Sequence, residues 1–68
     1  MNQDPDSGFR SAEEFHRRGQ LEEALASYDR ALALNPGLAE TWYNRGNVLR
    51  GLGRQQEALA SYDQALTL

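Results

Sequence analysis

Apolar residues recur along this chain every three or four positions, which is the spacing of an amphipathic α-helix. In residues 55–67 they fall on one arc of a helical wheel, and similar arcs occur in residues 21–34 and 39–51. The pattern predicts four helices, over residues 6–18, 21–34, 39–51 and 55–67. The residues assigned to their packed faces are Ala24, Leu25, Tyr28, Ala31, Leu32, Trp42, Gly46, Leu49, Ala58, Leu59, Tyr62, Ala65 and Leu66.

Glycine and proline mark the ends of the predicted helices. Gly19 and Gly53 lie at equivalent points, where a positive φ would end one helix and allow the chain to reverse. Residues 35–37 end the second helix, because Pro36 lacks a backbone donor. Each connection is short, so neighbouring helices must pack antiparallel. No alternating run of β-branched residues indicates a strand, since Val48 is the only valine and isoleucine is absent.

Residues 53–68 nearly duplicate residues 19–34. Eleven of these sixteen positions are identical, including the run Ala24-Leu25-Ala26-Ser27-Tyr28-Asp29, which returns 34 residues later. A fixed period of this length with helical spacing inside it indicates stacked helical hairpins. A chain of 68 residues is at most one small domain with a marginal core.

The chain resembles the tetratricopeptide repeat family from about Pro5 to Leu68, most strongly over residues 19–36 and 39–68. The residues that carry this resemblance are Trp42, Arg45, Gly46 and Leu49 in one helix and Ala58, Tyr62 and Ala65 in the next, spaced as in the family signature. The resemblance implies an all-α fold of two antiparallel helix-turn-helix repeats of 34 residues, stacked as a short right-handed α-solenoid. Residues 1–68 would form a single domain, with repeat one at about 5–38, repeat two at about 39–68, and residues 1–5 frayed.

Several positions depart from the family pattern. Gly8 and Ser11 replace the expected Trp and Leu in the first helix, which suggests a degenerate terminal unit that nothing covers on its outer side. Ala12 replaces a Gly, which is tolerable because alanine is also small. Arg45 replaces a Leu, and we expect its aliphatic stem to lie along the core with the guanidinium group at the edge.

The resemblance implies that the first helix of each repeat lines a concave groove that binds a peptide segment. The helical wheel independently places a polar and aromatic stripe beside the packed face of these two helices. Asparagine side chains could pair with a peptide backbone, and Tyr43 would add rigid apolar area. A solvated helix face is the alternative interpretation. The candidate groove residues are Phe9, Arg10, Glu13, His16, Arg17, Glu40, Tyr43, Asn44, Asn47 and Arg50.

The net charge of the chain limits the classes of partner that it is expected to bind. Seven arginines, no lysine and ten acidic residues give a formal net charge of −3. This balance disfavours nucleic acid and anionic membrane surfaces, so a protein or peptide is the expected partner. No apolar run approaches the length of about 20 residues that a membrane span needs, and a cytoplasmic location is the default expectation.

Little in the sequence could act as a catalyst or hold a cofactor. His16 with Glu13 could bind a metal only weakly, because no second imidazole or thiolate is available. The glycines near residue 51 end a helix and do not form a phosphate loop. We therefore expect neither an enzyme, a cofactor nor a metal site.

Two alternatives to a peptide-binding module stay open. The uncapped terminal helices could make the chain a self-assembling, homo-oligomeric scaffold. A second copy could stack on the first in the same way as one repeat stacks on the next. The chain could also be the N-terminal fragment of a longer array attached to an enzyme such as a glycosyltransferase, since arrays that resemble it are found joined to such enzymes. A constant mass near 7.6 kDa at all concentrations would remove the first alternative.

Overall fold

The computed structural model describes residues 5–68, with side chains from residue 8 onward. Within them lie four helices, which are α1 (Pro5–Arg17), α2 (Leu21–Leu34), α3 (Ala39–Gly51) and α4 (Gln55–Thr67). The predicted bounds are confirmed to within one residue for α1 and without change for the other three. The sequence predicts that residues 1–5 are frayed. Residues 1–4 lie outside the described residues, whereas Pro5 is already helical.

Both hairpins turn through the same glycine motif. Gly19 and Gly53 have φ values of 76° and 78°, which confirms their prediction as positive-φ positions. In the first turn, the Gln20 N–H donates to the Phe15 carbonyl at 2.9 Å, and the Arg54 N–H donates to the Leu49 carbonyl at the same distance in the second. These bonds across six residues satisfy helix carbonyls that would otherwise be unpaired.

The helices pack in chain order, with α1 against α2, α2 against α3, and α3 against α4. This arrangement is an all-α helical repeat of the solenoid type, as predicted. Trp42 fixes the turn between the hairpins, because its indole N–H donates to the Pro36 carbonyl at 2.8 Å. The Gly37 N–H donates to the Asn35 side chain at 3.3 Å, which further orders this turn.

The core consists mostly of small and aliphatic side chains that all four helices contribute. Its buried members are Ala12, Ala24, Leu25, Tyr28, Val48, Leu49 and Ala58. Ala31, Leu32 and Gly46 are also buried, whereas Trp42, Tyr62 and Ala65 are half-buried. The sequence analysis did not assign several residues that the fold buries, namely Ala12, Ser27, Thr41, Val48 and Ser61.

Two residues assigned to the core are exposed. Leu59 is 63% exposed and Leu66 is 84% exposed, so their assignment to the core is wrong for this chain. Both lie on the side of α4 that faces away from α3, where no helix of the described chain covers them. The helical wheel identified an apolar arc, but it could not tell that part of this arc has no neighbour.

Gly46 allows close packing within the second hairpin. A Cβ atom added there would lie 2.6 Å from Cε1 of Tyr62, which is closer than carbon atoms can approach. The Tyr62 ring lies directly against Gly46, so the glycine makes room for an aromatic side chain.

Arg45 connects the two hairpins. Its Nε lies 2.7 Å from Oδ1 of Asp29 on α2, and its guanidinium carbon lies 5.7 Å from the centre of the Trp42 ring. The Arg45 side chain is 21% exposed, so its stem is largely covered while its charge reaches a partner at the edge of the core. This agrees with the expectation from the sequence and adds a specific partner, Asp29.

Candidate functional site

A cleft of about 370 Å³ opens between α1 and α3, with α2 behind it. Its lining consists of Glu13, His16 and Arg17 from α1, Tyr28 from α2 and Asn44 from α3. The fold therefore brings four of the candidate groove residues, from two separate helices, to one concave site. We call this site the α1–α3 cleft.

The other candidate groove residues lie outside the lining of the α1–α3 cleft. Phe9 and Asn47 are half-buried. Tyr43 is 54% exposed, and the charged candidates Arg10, Glu40 and Arg50 are also exposed. The binding role of all ten residues stays a prediction.

An aromatic pair occurs at the same place in each hairpin. The rings of Phe9 and Tyr28 meet edge to face with centres 5.8 Å apart, and those of Tyr43 and Tyr62 lie 5.7 Å apart at a tilt of 48°. The members of one pair are separated from those of the other by 34 residues. Such contacts hold aromatic rings in defined positions. Tyr43 is therefore an exposed ring that is supported from behind.

Asn47 is oriented by a hydrogen bond from the neighbouring helix. The Tyr62 hydroxyl donates to Oδ1 of Asn47 at 2.5 Å. With its oxygen engaged, the Asn47 side chain keeps its NH₂ group to donate to a ligand. Glu13 occupies the equivalent position in α1, where a carboxylate can only accept. The two helices thus offer complementary hydrogen-bonding groups at matching positions.

Tyr28 remains protonated at neutral pH. Burial raises the pKa of its hydroxyl to about 12, and the negative charges of Glu13 and Glu40 act in the same direction. A neutral phenol at the back of the cleft can donate a hydrogen bond or accept one. On the α1 side, Arg17 pairs with Glu14, which lies outside the cleft lining, and the Arg17 charge lowers the pKa of that carboxyl group.

Two residues of this region were assigned by the sequence analysis to the core alone. Tyr28 forms the back of the cleft, and Tyr62 positions both Tyr43 and Asn47. A signal for this was present in the sequence, because aromatic residues occupy positions 9 and 43 as well as 28 and 62. The shared 34-residue spacing could have indicated that each repeat contains an aromatic pair.

Among residues 5–68, no three imidazole or carboxylate groups converge as a metal ion would require. Over the same residues, each helix is too short or too polar to cross a bilayer.

Comparison with known proteins identifies the repeat. A family model described as TPR repeat matches residues 12–53, and a model described as tetratricopeptide repeat matches residues 39–68. The chain is also 35% identical, over 46 residues, to an uncharacterized protein of Methanocaldococcus jannaschii. That alignment includes 68% of this chain and 54% of the archaeal protein, so the chain spans about half the length of this curated relative.

Proposed function

This chain belongs to the tetratricopeptide repeat family, and from that premise we propose that it binds a peptide segment of a partner protein in the α1–α3 cleft. Repeats of this family generally mediate protein–protein interactions and are typically non-catalytic. The proposal extends that general role to a particular surface of this chain.

The observation that carries the proposal is the exposed and supported ring of Tyr43. A tyrosine that is 54% exposed would ordinarily be free to move, but this ring packs against Tyr62. Rigid aromatic groups are effective contact residues, because little side-chain entropy is lost when a partner covers them. Asn47 lies next to this pair and is oriented by the same tyrosine. An apolar platform and a hydrogen-bond donor are therefore held together before any ligand arrives.

The groups around the cleft favour an extended peptide over a strongly charged ligand. Asn44 and Asn47 carry amides that can pair with a peptide backbone, and Tyr28 lines the cleft together with Asn44. Glu13 opposes the positive charge of Arg17 within the same lining. Because the charges are mixed, recognition would depend on backbone hydrogen bonds and on an apolar side chain placed against Tyr43.

Selection from a random peptide display library tests this function. Peptides would be selected on the wild-type chain alone, and their affinities for the wild-type chain and for the Tyr43→Ala variant would then be measured by titration calorimetry. We expect the variant to lose about tenfold or more in affinity, because alanine removes the central aromatic contact. Leu34→Ala is the matched control, since Leu34 is also 54% exposed but lies at the end of α2 and belongs neither to the cleft lining nor to the Tyr43–Tyr62 pair.

Chemical-shift mapping would locate the bound peptide. On a ¹⁵N-labelled chain, the perturbed amides should cluster at Glu13, His16, Asn44 and Asn47. Peptides that bind both variants equally, or that perturb mainly the exposed side of α4, would contradict the assignment of the cleft.

Self-assembly is the second candidate function, and one observation favours it. Leu59 and Leu66 leave apolar area exposed on α4, which a second copy could cover. Light scattering at several concentrations tests this, because a constant mass of 7.6 kDa excludes self-association. The alternative that the chain is part of a longer array joined to an enzyme stays a prediction.

A further inference from the structure

A stripe on the outer side of α4 has no covering neighbour among the described residues. Leu59, Asp63 and Leu66 follow one another at intervals of four and three residues, so they lie on the same side of the helix. All three are exposed, Leu59 to 63% and Leu66 to 84%. We call these residues the α4 outer stripe.

The same chain contains a covered copy of this stripe. The equivalent residues of α2 are Leu25, Asp29 and Leu32, and α3 packs against that helix. Leu25 is only 9% exposed and Leu32 only 8%. The contact between α2 and α3 therefore shows what kind of helix fits the α4 outer stripe, which differs from its covered copy only in its surroundings.

Two contacts define how α3 lies on α2. Arg45 forms its ion pair with Asp29 at 2.7 Å, and a Cβ atom added to Gly51 would lie 3.0 Å from Cδ1 of Leu21. The two helices are therefore antiparallel. Val48 lies halfway between Arg45 and Gly51, so this register places it opposite Leu25, which lies halfway between Asp29 and Leu21. The covering helix thus presents an arginine to the aspartate, then an aliphatic residue, and then a residue without a side chain.

A second copy of this chain does not supply these groups through α1. The positions of α1 equivalent to Arg45 and Val48 are Ser11 and Glu14. Stacking α1 on α4 in the register of α3 on α2 would put Ser11, and not an arginine, opposite Asp63 and would place the ion-paired Glu14 against Leu59. Removing such a carboxylate from water is costly unless new partners replace the solvent.

A symmetric dimer through α4 is opposed by charge. If two α4 helices packed antiparallel with each Leu59 near the partner's Leu66, the two Asp63 carboxylates would face each other near the symmetry axis. Like charges at the centre of an interface oppose association. Charge therefore opposes both arrangements of identical copies, and it favours an occupant that brings a positive charge to Asp63.

We propose that the α4 outer stripe docks an amphipathic helix of a partner protein that carries an arginine opposite Asp63 and an aliphatic residue three positions later. This surface is separate from the α1–α3 cleft, so the inference goes beyond the proposed function. The arginine forms a planar contact with the carboxylate, as Arg45 does with Asp29, and the aliphatic side chain covers Leu59.

The chain itself supplies the probe for a test. A fluorescein-labelled peptide of residues 38–54 contains α3 with Arg45, Val48 and Gly51, and its binding to the full chain can be followed by fluorescence anisotropy. We expect weak but saturable binding with a Kd below about 1 mM. The binding is weak because the free peptide is poorly helical and has to become ordered when it binds. Asp63→Arg should raise the Kd by about tenfold or more, because it places a positive charge opposite Arg45 of the peptide.

A charge exchange identifies the contact. The peptide variant Arg45→Asp should bind the wild-type chain weakly and recover its affinity on the Asp63→Arg chain. Glu23→Arg is the matched control, because it makes the same charge change at an exposed residue of α2 outside the stripe. Asp63→Arg should leave peptide binding in the α1–α3 cleft unchanged, so the two proposals can fail separately.

Several results would overturn the proposal. These are the absence of saturable binding, equal weakening by Glu23→Arg and Asp63→Arg, or no recovery in the exchanged pair. A dimer in light scattering that dissociates on Leu59→Gln would identify a second copy as the occupant instead.

Discussion

The second helix of each hairpin has almost the same sequence, yet the two helices are buried differently. Leu25 and Leu32 of α2 are 9% and 8% exposed, whereas their equivalents in α4, Leu59 and Leu66, are 63% and 84% exposed. α2 lies between two helices, and α4 packs against one. Burial at these positions therefore depends on whether another helix follows, and the local sequence does not determine it.

The opposite side of these two helices is buried to the same extent in both hairpins. Ala24 and Ala58 are 0% and 3% exposed, and Ser27 and Ser61 are both fully buried. These residues face the first helix of their own hairpin. The Ser61 hydroxyl, for example, donates to the Trp42 carbonyl at 2.8 Å. Each second helix thus has an inner side that its own hairpin always covers and an outer side that only a further helix can cover.

Shortening the equivalent leucines should give the largest difference between the two helices. Leu25→Ala removes a buried side chain and should cost about 2–5 kcal/mol, which would leave a domain this small largely unfolded. Leu59→Ala changes a mostly exposed residue and should alter the free energy of unfolding by no more than about 0.5 kcal/mol. Urea titration followed by circular dichroism measures both values. Equal losses would mean that Leu59 is buried in solution, as it would be in a dimer.

The local features of the fold were predictable from the sequence. Gly19, Gly53 and Pro36 end helices through backbone restrictions that act within a few residues, and the helix bounds followed closely. The exposure of Leu59 and Leu66 contradicts their assignment to the core, because a helical wheel does not show which neighbours are present. The expectation that the terminal helices are uncapped nevertheless pointed to this exposure. The orientation of Asn47 by Tyr62 and the closure of the cleft by Tyr28 depend on how helices cross. Periodicity within a helix does not predict such contacts between helices, although the repeated aromatic positions could have indicated that each repeat contains a pair.

Exchanging the small residue at the equivalent position of α1 and α3 should give the next largest effect. Ala12 is fully buried in α1, whereas α3 has Gly46 at the same position. Gly46→Ala should destabilise the chain by about 1–2 kcal/mol, because steric overlap with the Tyr62 ring outweighs the better helix propensity of alanine. The ring cannot move away freely, since its hydroxyl is bonded to Asn47.

Thermal unfolding of Gly46→Ala, with Ala12→Gly as the counterpart, measures this asymmetry. Ala12→Gly should also destabilise, because it removes a buried methyl group and lowers helix propensity by about 1 kcal/mol. A rise in melting temperature for Gly46→Ala would show that the Tyr62 ring has room to move, and would contradict its role in holding Tyr43 and Asn47.

Replacing the equivalent aspartates of α2 and α4 should give a smaller difference in the free energy of unfolding. Asp29→Ala breaks the partly exposed ion pair with Arg45 and should cost about 0.5–1 kcal/mol more than Asp63→Ala. Both changes replace an aspartate within a helix, so their effects on helix propensity cancel in the comparison. The difference should shrink as salt is raised from 0.01 M to about 1 M. If it persists in the Arg45→Ala background, the ion pair is not its cause.

The smallest effect concerns Tyr28, and the pH dependence that it gives to stability appears only above about pH 10. Burial raises the pKa of this tyrosine from 10.0 to about 12, so the folded chain holds the phenolic proton more tightly than the unfolded chain does. A raised pKa in the folded state means that the contribution of Tyr28 to stability is fully present below about pH 10 and is lost as the pH rises towards about 12. Absorbance at 295 nm follows the ionisation of the three tyrosines. Tyr28→Phe should remove the component that titrates last, and the wild-type chain should lose its stability advantage over this variant across the same interval. If the substitution instead removes absorbance that develops near pH 10, Tyr28 is more accessible to water than its place at the back of the cleft requires.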